Sequence, residues 1–315
     1  MAKGKRRSFD SLKSRKTENK MTYTIVPDIH ADFERLNWSI SKANASKIIF
    51  LGDLIDAGKL VKEPNDLNTL EVVSKLISDG QASCVLGNHE LNAILFHRRS
   101  SATKNPLRFH KEQNLKQHKS FIEAFGIEST QALNWTSWML KTLPLWLELD
   151  GLRIAHACWS EKAINIVKQR RPLGYLQPQD LEEVAAKTTD FALAVETITS
   201  GPEAKLPDGY SFTDNGGNKR EYVRLSWWNA KNTSWNKAAL SVSDLSQLPT
   251  GELPKDLMSE IYCVDAKPVL VGHYKMKGTP YLQSHNATSL DYPNTKCVYH
   301  WSGETSLLDK NLIVG

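Results

Sequence analysis

Residues 21–30 read MTYTIVPDIH and residues 47–56 read KIIFLGDLID, and the pattern they share decides the fold. Each is a short, β-rich run that ends in a polar cluster. Tyr23-Thr24-Ile25-Val26 leads into Asp28-Ile29-His30, and Ile48-Ile49-Phe50-Leu51 leads into Gly52-Asp53-Leu54-Ile55-Asp56. A third run, Ser83-Cys84-Val85-Leu86, ends in Gly87-Asn88-His89-Glu90. The intervening stretches, 32–43 and 67–78, are long enough for helices, with Asp32 and Asn65-Asp66 placed to cap them. Parallel neighbours need such a crossover, so the pattern predicts a βαβαβ unit within an α/β fold.

Outward from this unit, residues 90–141 are polar, contain tryptophan and lack β-like runs, which predicts a helical excursion. Residues 145–155 form two alternating runs joined by Asp150-Gly151, a hairpin signal. A second helical section is expected over 161–199, and short strands with Gly/Pro/Asn turns from Tyr222 onward. No internal repeat or long linker divides the chain, so residues 21–315 are read as one domain.

The formal charge of +5 suggests nucleic-acid binding until it is divided along the chain. Residues 1–20 hold eight Lys/Arg and two Asp/Glu, leaving 32 basic against 33 acidic residues in a nearly neutral body. The basic start is read as a solvated, disordered tail, and no nucleic-acid partner is expected. No apolar segment follows it, so no secretory signal is expected, and no run approaches the roughly 20 apolar residues that span a bilayer. Cys84, Cys158, Cys263 and Cys297 lie far apart with no C-x-x-C pair, which fits free thiols in a reducing cytoplasm.

Five polar clusters follow predicted strands: Asp28-Ile29-His30, Gly52 to Asp56, Gly87 to Glu90, His156 and Gly272-His273. Ligands collect at the carboxyl ends of parallel strands, so five clusters there predict one site. Asp, Asn and His suit borderline divalent metals, whereas a thiolate site would need paired cysteines. Two adjacent metals need a ligand that touches both, and Asp53 is the candidate bridge.

These residues resemble the calcineurin-like metallophosphoesterases, in the branch of Ser/Thr protein phosphatases and diadenosine tetraphosphatases, and within it the bacterial members. The likeness is carried by Asp28-x-His30, Gly52-Asp53-x-x-Asp56-x-Gly58, Gly87-Asn88-His89-Glu90, His156 and Gly272-His273. It implies a four-layer α/β/β/α sandwich with helical insertions. It also implies two divalent metal ions, with manganese favoured over iron or zinc. One would be held by Asp28, His30 and Asp53, the other by Asp53, Asn88, His156 and His273. His89 would be the general acid, oriented by Asp56, with a hydroxide bridging both metals as nucleophile.

The departures are informative. Gly272-His273-Tyr274-Lys275 lacks the second histidine of Gly-His-x-His found in many diesterases of the superfamily. That favours the monoester or diadenosine-polyphosphate branch over a nuclease, and the leading expectation is a phosphomonoesterase acting on a phosphoprotein or a small phosphorylated metabolite. Ala57 and Leu86 replace two phosphate-facing arginines of the protein phosphatases, and Pro27 and Ala31 replace glycines. Arg224 is the candidate replacement for phosphate binding, with His97-Arg98-Arg99 as another source.

Blander readings compete. Arg224 can be a strand arginine paired with a surface carboxylate, and His156 a hydrogen-bonded core histidine. His97, Arg98, Arg99, His110 and His118 are expected on a solvated face, and Trp135, Trp138 and Trp146 in the core. A dinucleoside polyphosphate hydrolase and a non-catalytic, metal-loaded binding module remain as alternative functions.

Overall fold

The structure is a computed structural model that describes residues 21–315 except 45, 215, 216 and 259. The basic run 1–20 therefore lies outside the described residues.

The βαβαβ unit forms where the sequence places it. Strands β1 (Tyr23–Val26), β2 (Lys47–Phe50) and β3 (Ala82–Cys84) pair in parallel, joined by helices α1 (Phe33–Ser41) and α2 (Asp66–Ser78). Asp32 and Asn65 cap these helices: their side chains accept from the backbone N–H of Arg35 and Asn68. The helical excursion is α3 (Asn88–Phe96), α4 (Glu112–Gln117), α5 (Lys119–Phe125) and α6 (Thr130–Thr142). The hairpin is β4 (Trp146–Leu149) and β5 (Leu152–Ala155), and the second helical section is α7 (Glu161–Arg170), α8 (Leu181–Ala186) and α9 (Asp190–Ser200).

Short strands begin earlier than Tyr222. They are β6 (Glu203–Lys205), β7 (Phe212–Thr213), β8 (Lys219–Arg220), β9 (Tyr222–Leu225) and β10 (Ala239–Leu240). In β6 only Ala204 is buried, so the Glu203 and Lys205 flanks hide the strand from a hydropathy reading. Strands β6, β9 and β10 form a small sheet over its own core, which includes Ala204, Leu206, Val223, Leu225 and Trp235. The chain closes with β11 (Val269–Val271), β12 (Ala287–Ser289), β13 (Cys297–Trp301) and β14 (Leu312–Val314).

Two main sheets result, ordered β14-β13-β1-β2-β3 and β12-β11-β5-β4. Alternate residues of a strand point to opposite faces, and that period builds the layers. Tyr23, Ile25, Ile49, Leu51 and Val85 share one buried cluster with Tyr299 of their own sheet and with Leu152, Ile154 and Leu270 of the facing one. Val26, Ile48, Phe50 and Cys84 turn the other way and pack with helix residues such as Leu36, Leu70, Val73 and Ile94. On the second sheet Ala155, Val269 and Val271 meet Ile164, Val167 and Ile198. The fold is thus the four-layer α/β sandwich. Trp146 lies in the core, and Trp135 and Trp138 pack partly buried against it.

Candidate active site

The polar clusters converge past the ends of β1, β2, β3, β5 and β11. Their loops are tied together by a buried carboxylate: Glu90 accepts from the backbone N–H of Asp53 at 2.8 Å and Gly87 at 3.1 Å through Oε2, and from Leu54 at 2.7 Å through Oε1. Burial and the nearby Asp53 carboxylate push Glu90 up to about 7, against the pull of these amide donors. Glu90 belongs to the Gly87–Glu90 cluster, but its clamping role depends on partners 36 and 37 residues away.

The backbone is bent hard here. His30, Ala31, Asp53, Asp56 and His273 all have positive φ, between 49° and 65°. For non-glycine residues this costs roughly 1–3 kcal/mol each, and such strain gathers at functional sites. Two glycines are required by close approach. A Cβ on Gly87 would strike Asp53 and Glu90, and one on Gly272 would strike the Asp28 carboxylate.

Asp28, Asp53 and His156 are buried, and His30, Asn88 and His273 half-buried. Ligand atoms of His30, Asp53 and His89 lie within 4.8 Å of one another, as do those of Asp53, His156 and His273, so Asp53 belongs to both groups. Asp28 contends with His89 for the first group, because its Oδ2 is 3.8 Å from His30 Nε2. Asn88 Oδ1 completes the second, 2.7 Å from His273 Nδ1 and 3.0 Å from His156 Nε2.

These residues fit divalent cations on their own chemistry. The Nε2 atoms of His30 and His273 are buried without a hydrogen-bond partner among the described residues, an expensive arrangement unless something binds them. Burial and His89 push His30 down to about 4; burial, His156 and Arg224 hold His273 well below its ordinary range. Both imidazoles are therefore neutral donors. His156 Nδ1 lies 2.6 Å from the Leu51 carbonyl, which leaves Nε2 facing Asn88 Oδ1 and, at 3.4 Å, Asp53 Oδ1. Without a cation a proton meets that need: burial opposes it, but Asp53 pulls His156 up to about 10.

Beside this cluster lies an imidazole–carboxylate pair. His89 Nδ1 is 2.8 Å from Asp56 Oδ2, and its Nε2 faces Asp53 Oδ2 at 3.9 Å. Burial works against charge on His89, yet Asp53 and Asp56 outweigh it and raise the imidazole to about 9. Burial also opposes ionisation of Asp56, but His118 and His89 bring its carboxyl down to about 2. Asp56 accepts from His118 as well, Nδ1 to Oδ1 at 2.6 Å.

A scan against family models matches residues 21–201 to the calcineurin-like phosphoesterase family. The chain belongs to that family. Its members bind divalent metals and hydrolyse phosphoric esters. His273 lies beyond the matched segment and reaches the site only through the fold. No curated protein matches the chain. Among solved structures, the chain is similar to a candidate diadenosine tetraphosphatase, at 14% identity and TM-score 0.43, covering 95% of each chain. It is also similar to a protein serine/threonine phosphatase from Saccharomyces cerevisiae, at 13% identity and TM-score 0.46, covering 95% of this chain and 80% of that one. A cold-active protein-tyrosine phosphatase from Shewanella is 12% identical with TM-score 0.44, covering 92% of this chain and 81% of that one.

The sequence-derived arginines have partners of their own. Arg224 faces Glu203 across β9 and β6 and pairs with it at 3.3 Å, on an exposed surface. Its field still reaches His273. Arg98 is engaged with Ser137 and the Ile94 carbonyl, and Arg99 with Glu128 and the Lys104 carbonyl. The expectation of a solvated face fails for His97 and His118, which are buried. Helix α5 carries Phe121 under the His118 ring, stacked at 4.6 Å, and Phe96 packs beside both histidines. Gln117, whose Nε2 is 3.4 Å from His89 Nε2, was also missed. A polar composition at 110–118 cannot distinguish water-facing side chains from ones aimed into a polar site.

Proposed function

We propose that this protein is a metal-dependent phosphomonoesterase acting on a phosphoprotein or small phosphorylated metabolite. The observation that carries the reading is the placement of His89: Nδ1 is held by Asp56 while Nε2 faces Asp53, the carboxylate common to both ligand groups. Asp28, His30 and Asp53 would hold one divalent cation, and Asp53, Asn88, His156 and His273 the other; when bound, the pair supplies Lewis-acid charge and lowers the pKa of water. His89 holds a proton at Nε2 for the departing ester oxygen, and Asp56 fixes the ring so that only Nε2 faces the reacting group. Glu90 keeps Asp53 in register by gripping its backbone.

The residue two positions after His273 supports a monoester. It is Lys275, exposed, and its charge acts on His30 and on buried Asp291. A cation beside the site suits a phosphomonoester dianion better than a diester monoanion. We read the four free cysteines, three of them buried, as fitting a cytoplasmic protein.

The test is hydrolysis of p-nitrophenyl phosphate beside bis-p-nitrophenyl phosphate by protein stripped of metal and resupplied with manganese, then iron or zinc. Metal-restored release from the monoester alone is the expected result. Release from neither, with metal bound, refutes the reading and turns the search to diadenosine tetraphosphate hydrolysis or a binding role without turnover.

A further inference from the structure

The Asp56–His89 pair is the visible end of a longer hydrogen-bonded chain whose direction is fixed by a backbone amide. The Glu128 N–H, which can only donate, points at His97 Nδ1 at 2.9 Å. His97 Nδ1 must therefore be the bare nitrogen, and the proton of that neutral ring lies on Nε2. His97 Nε2 is 2.9 Å from His118 Nε2, so it donates and His118 Nε2 accepts. The His118 proton is then on Nδ1, directed at Asp56 Oδ1 at 2.6 Å. Asp56 uses its other oxygen for His89 Nδ1. Every link runs the same way, and none can reverse without turning two donors or two acceptors against each other in a buried space.

We propose that His118, backed by His97, is a positioning residue for the general acid: it anchors Asp56 as an acceptor, so that His89 Nδ1 is held and Nε2 is the nitrogen left facing the reacting group. This inference rests on the phosphoesterase reading above. In the assisted step the His89 Nε2–H bond breaks as the ester P–O bond breaks. The proton goes to the departing oxygen, which keeps the P–O electron pair; water's oxygen forms the new bond to phosphorus, and the proton it releases restores His89. The ring planes are pinned by stacking of His118 on Phe121, so hydrogen-bond direction rather than ring packing is what substitution can isolate.

The experiment compares p-nitrophenyl phosphate, whose leaving group departs with little help, with phenyl phosphate, whose leaving group needs the proton. His118→Phe keeps the aromatic stacking and loses both nitrogens; His118→Asn returns an N–H donor near the Nδ1 position. The expected result for His118→Phe is a loss of kcat of about 10- to 100-fold on phenyl phosphate and only about 3-fold or less on p-nitrophenyl phosphate, with His118→Asn restoring most of it. Equal losses on the two esters, or none, overturn the proposal.

A second readout needs no activity. Long-range proton–nitrogen spectra of metal-free protein labelled with nitrogen-15 histidine should show His97 protonated at Nε2 and His118 at Nδ1; the opposite tautomers overturn the proposal. If His118→Phe does not fold, His118→Asn and the spectrum decide. If the wild type hydrolyses neither ester, the phosphoesterase reading fails separately and the spectrum alone judges the chain of hydrogen bonds.

Discussion

Substituting Glu90 by Gln probes the clamp that holds the site together while changing little in size. The carboxylate accepts three backbone N–H groups, two on Oε2 and one on Oε1. An amide has one acceptor oxygen. Its best orientation keeps the carbonyl on Asp53 and Gly87 and turns the NH2 toward the Leu54 N–H, donor against donor. A hydrogen bond to a charged group contributes about 1.5–3 kcal/mol, and a buried unsatisfied N–H costs about 1–3 kcal/mol. The expected destabilisation is therefore about 3–5 kcal/mol, a large part of the roughly 5–15 kcal/mol that holds a typical domain folded. Urea unfolding of metal-free protein, at a pH above the Glu90 titration and followed by the fluorescence of its nine tryptophans, measures it. Bound metal per chain should fall in parallel, because Asp53 loses its grip. A variant within about 0.5 kcal/mol of wild type, the range of inconsequential surface changes, would refute the clamp.

Other expectations follow from the same geometry. His89→Ala should lower kcat on phenyl phosphate about 10²- to 10⁴-fold, and far less on p-nitrophenyl phosphate, with bound metal unchanged, checked by kinetics and elemental analysis together. Asp53→Ala should reduce metal at both positions at once, since both ligand groups contain it; loss of only one equivalent would show that the groups are independent. Gly272→Ala should force Asp28 away from its place and lower both the melting temperature and metal retention. His97 is held down at about 3 by burial and by His118 and His110. The unfolded chain, whose histidines titrate at about 6.5, then takes up the proton first as pH falls. Stability should therefore drop as pH falls from about 6.5 toward 3, and His97→Gln should flatten that drop in urea midpoints read between pH 7 and 5.

Much of this protein is legible along the chain. The alternation in 23–26, 48–51 and 83–86, the caps at Asp32 and Asn65 and the Asp150-Gly151 turn are local signals, because strand pleat, helix capping and tight turns are properties of a few consecutive residues. The clusters after the strands are legible for the same reason: a strand that ends in Asp, His or Gly-Asn-His places those groups at a sheet edge whatever the rest does. What only the tertiary structure decided lies in pairings across long separations. His118 reaches Asp56 from 62 residues away, and Glu90 closes on the Asp53 loop from 37. Arg224 meets Glu203 because two short strands happen to lie in register. Polar residues at 97–118 carry no periodic mark saying whether they face water or a buried carboxylate. That choice was made when Phe121 of α5 and Phe96 of α3 packed around His97 and His118, removed the two imidazoles from solvent, and left each in need of a partner only the folded chain supplies.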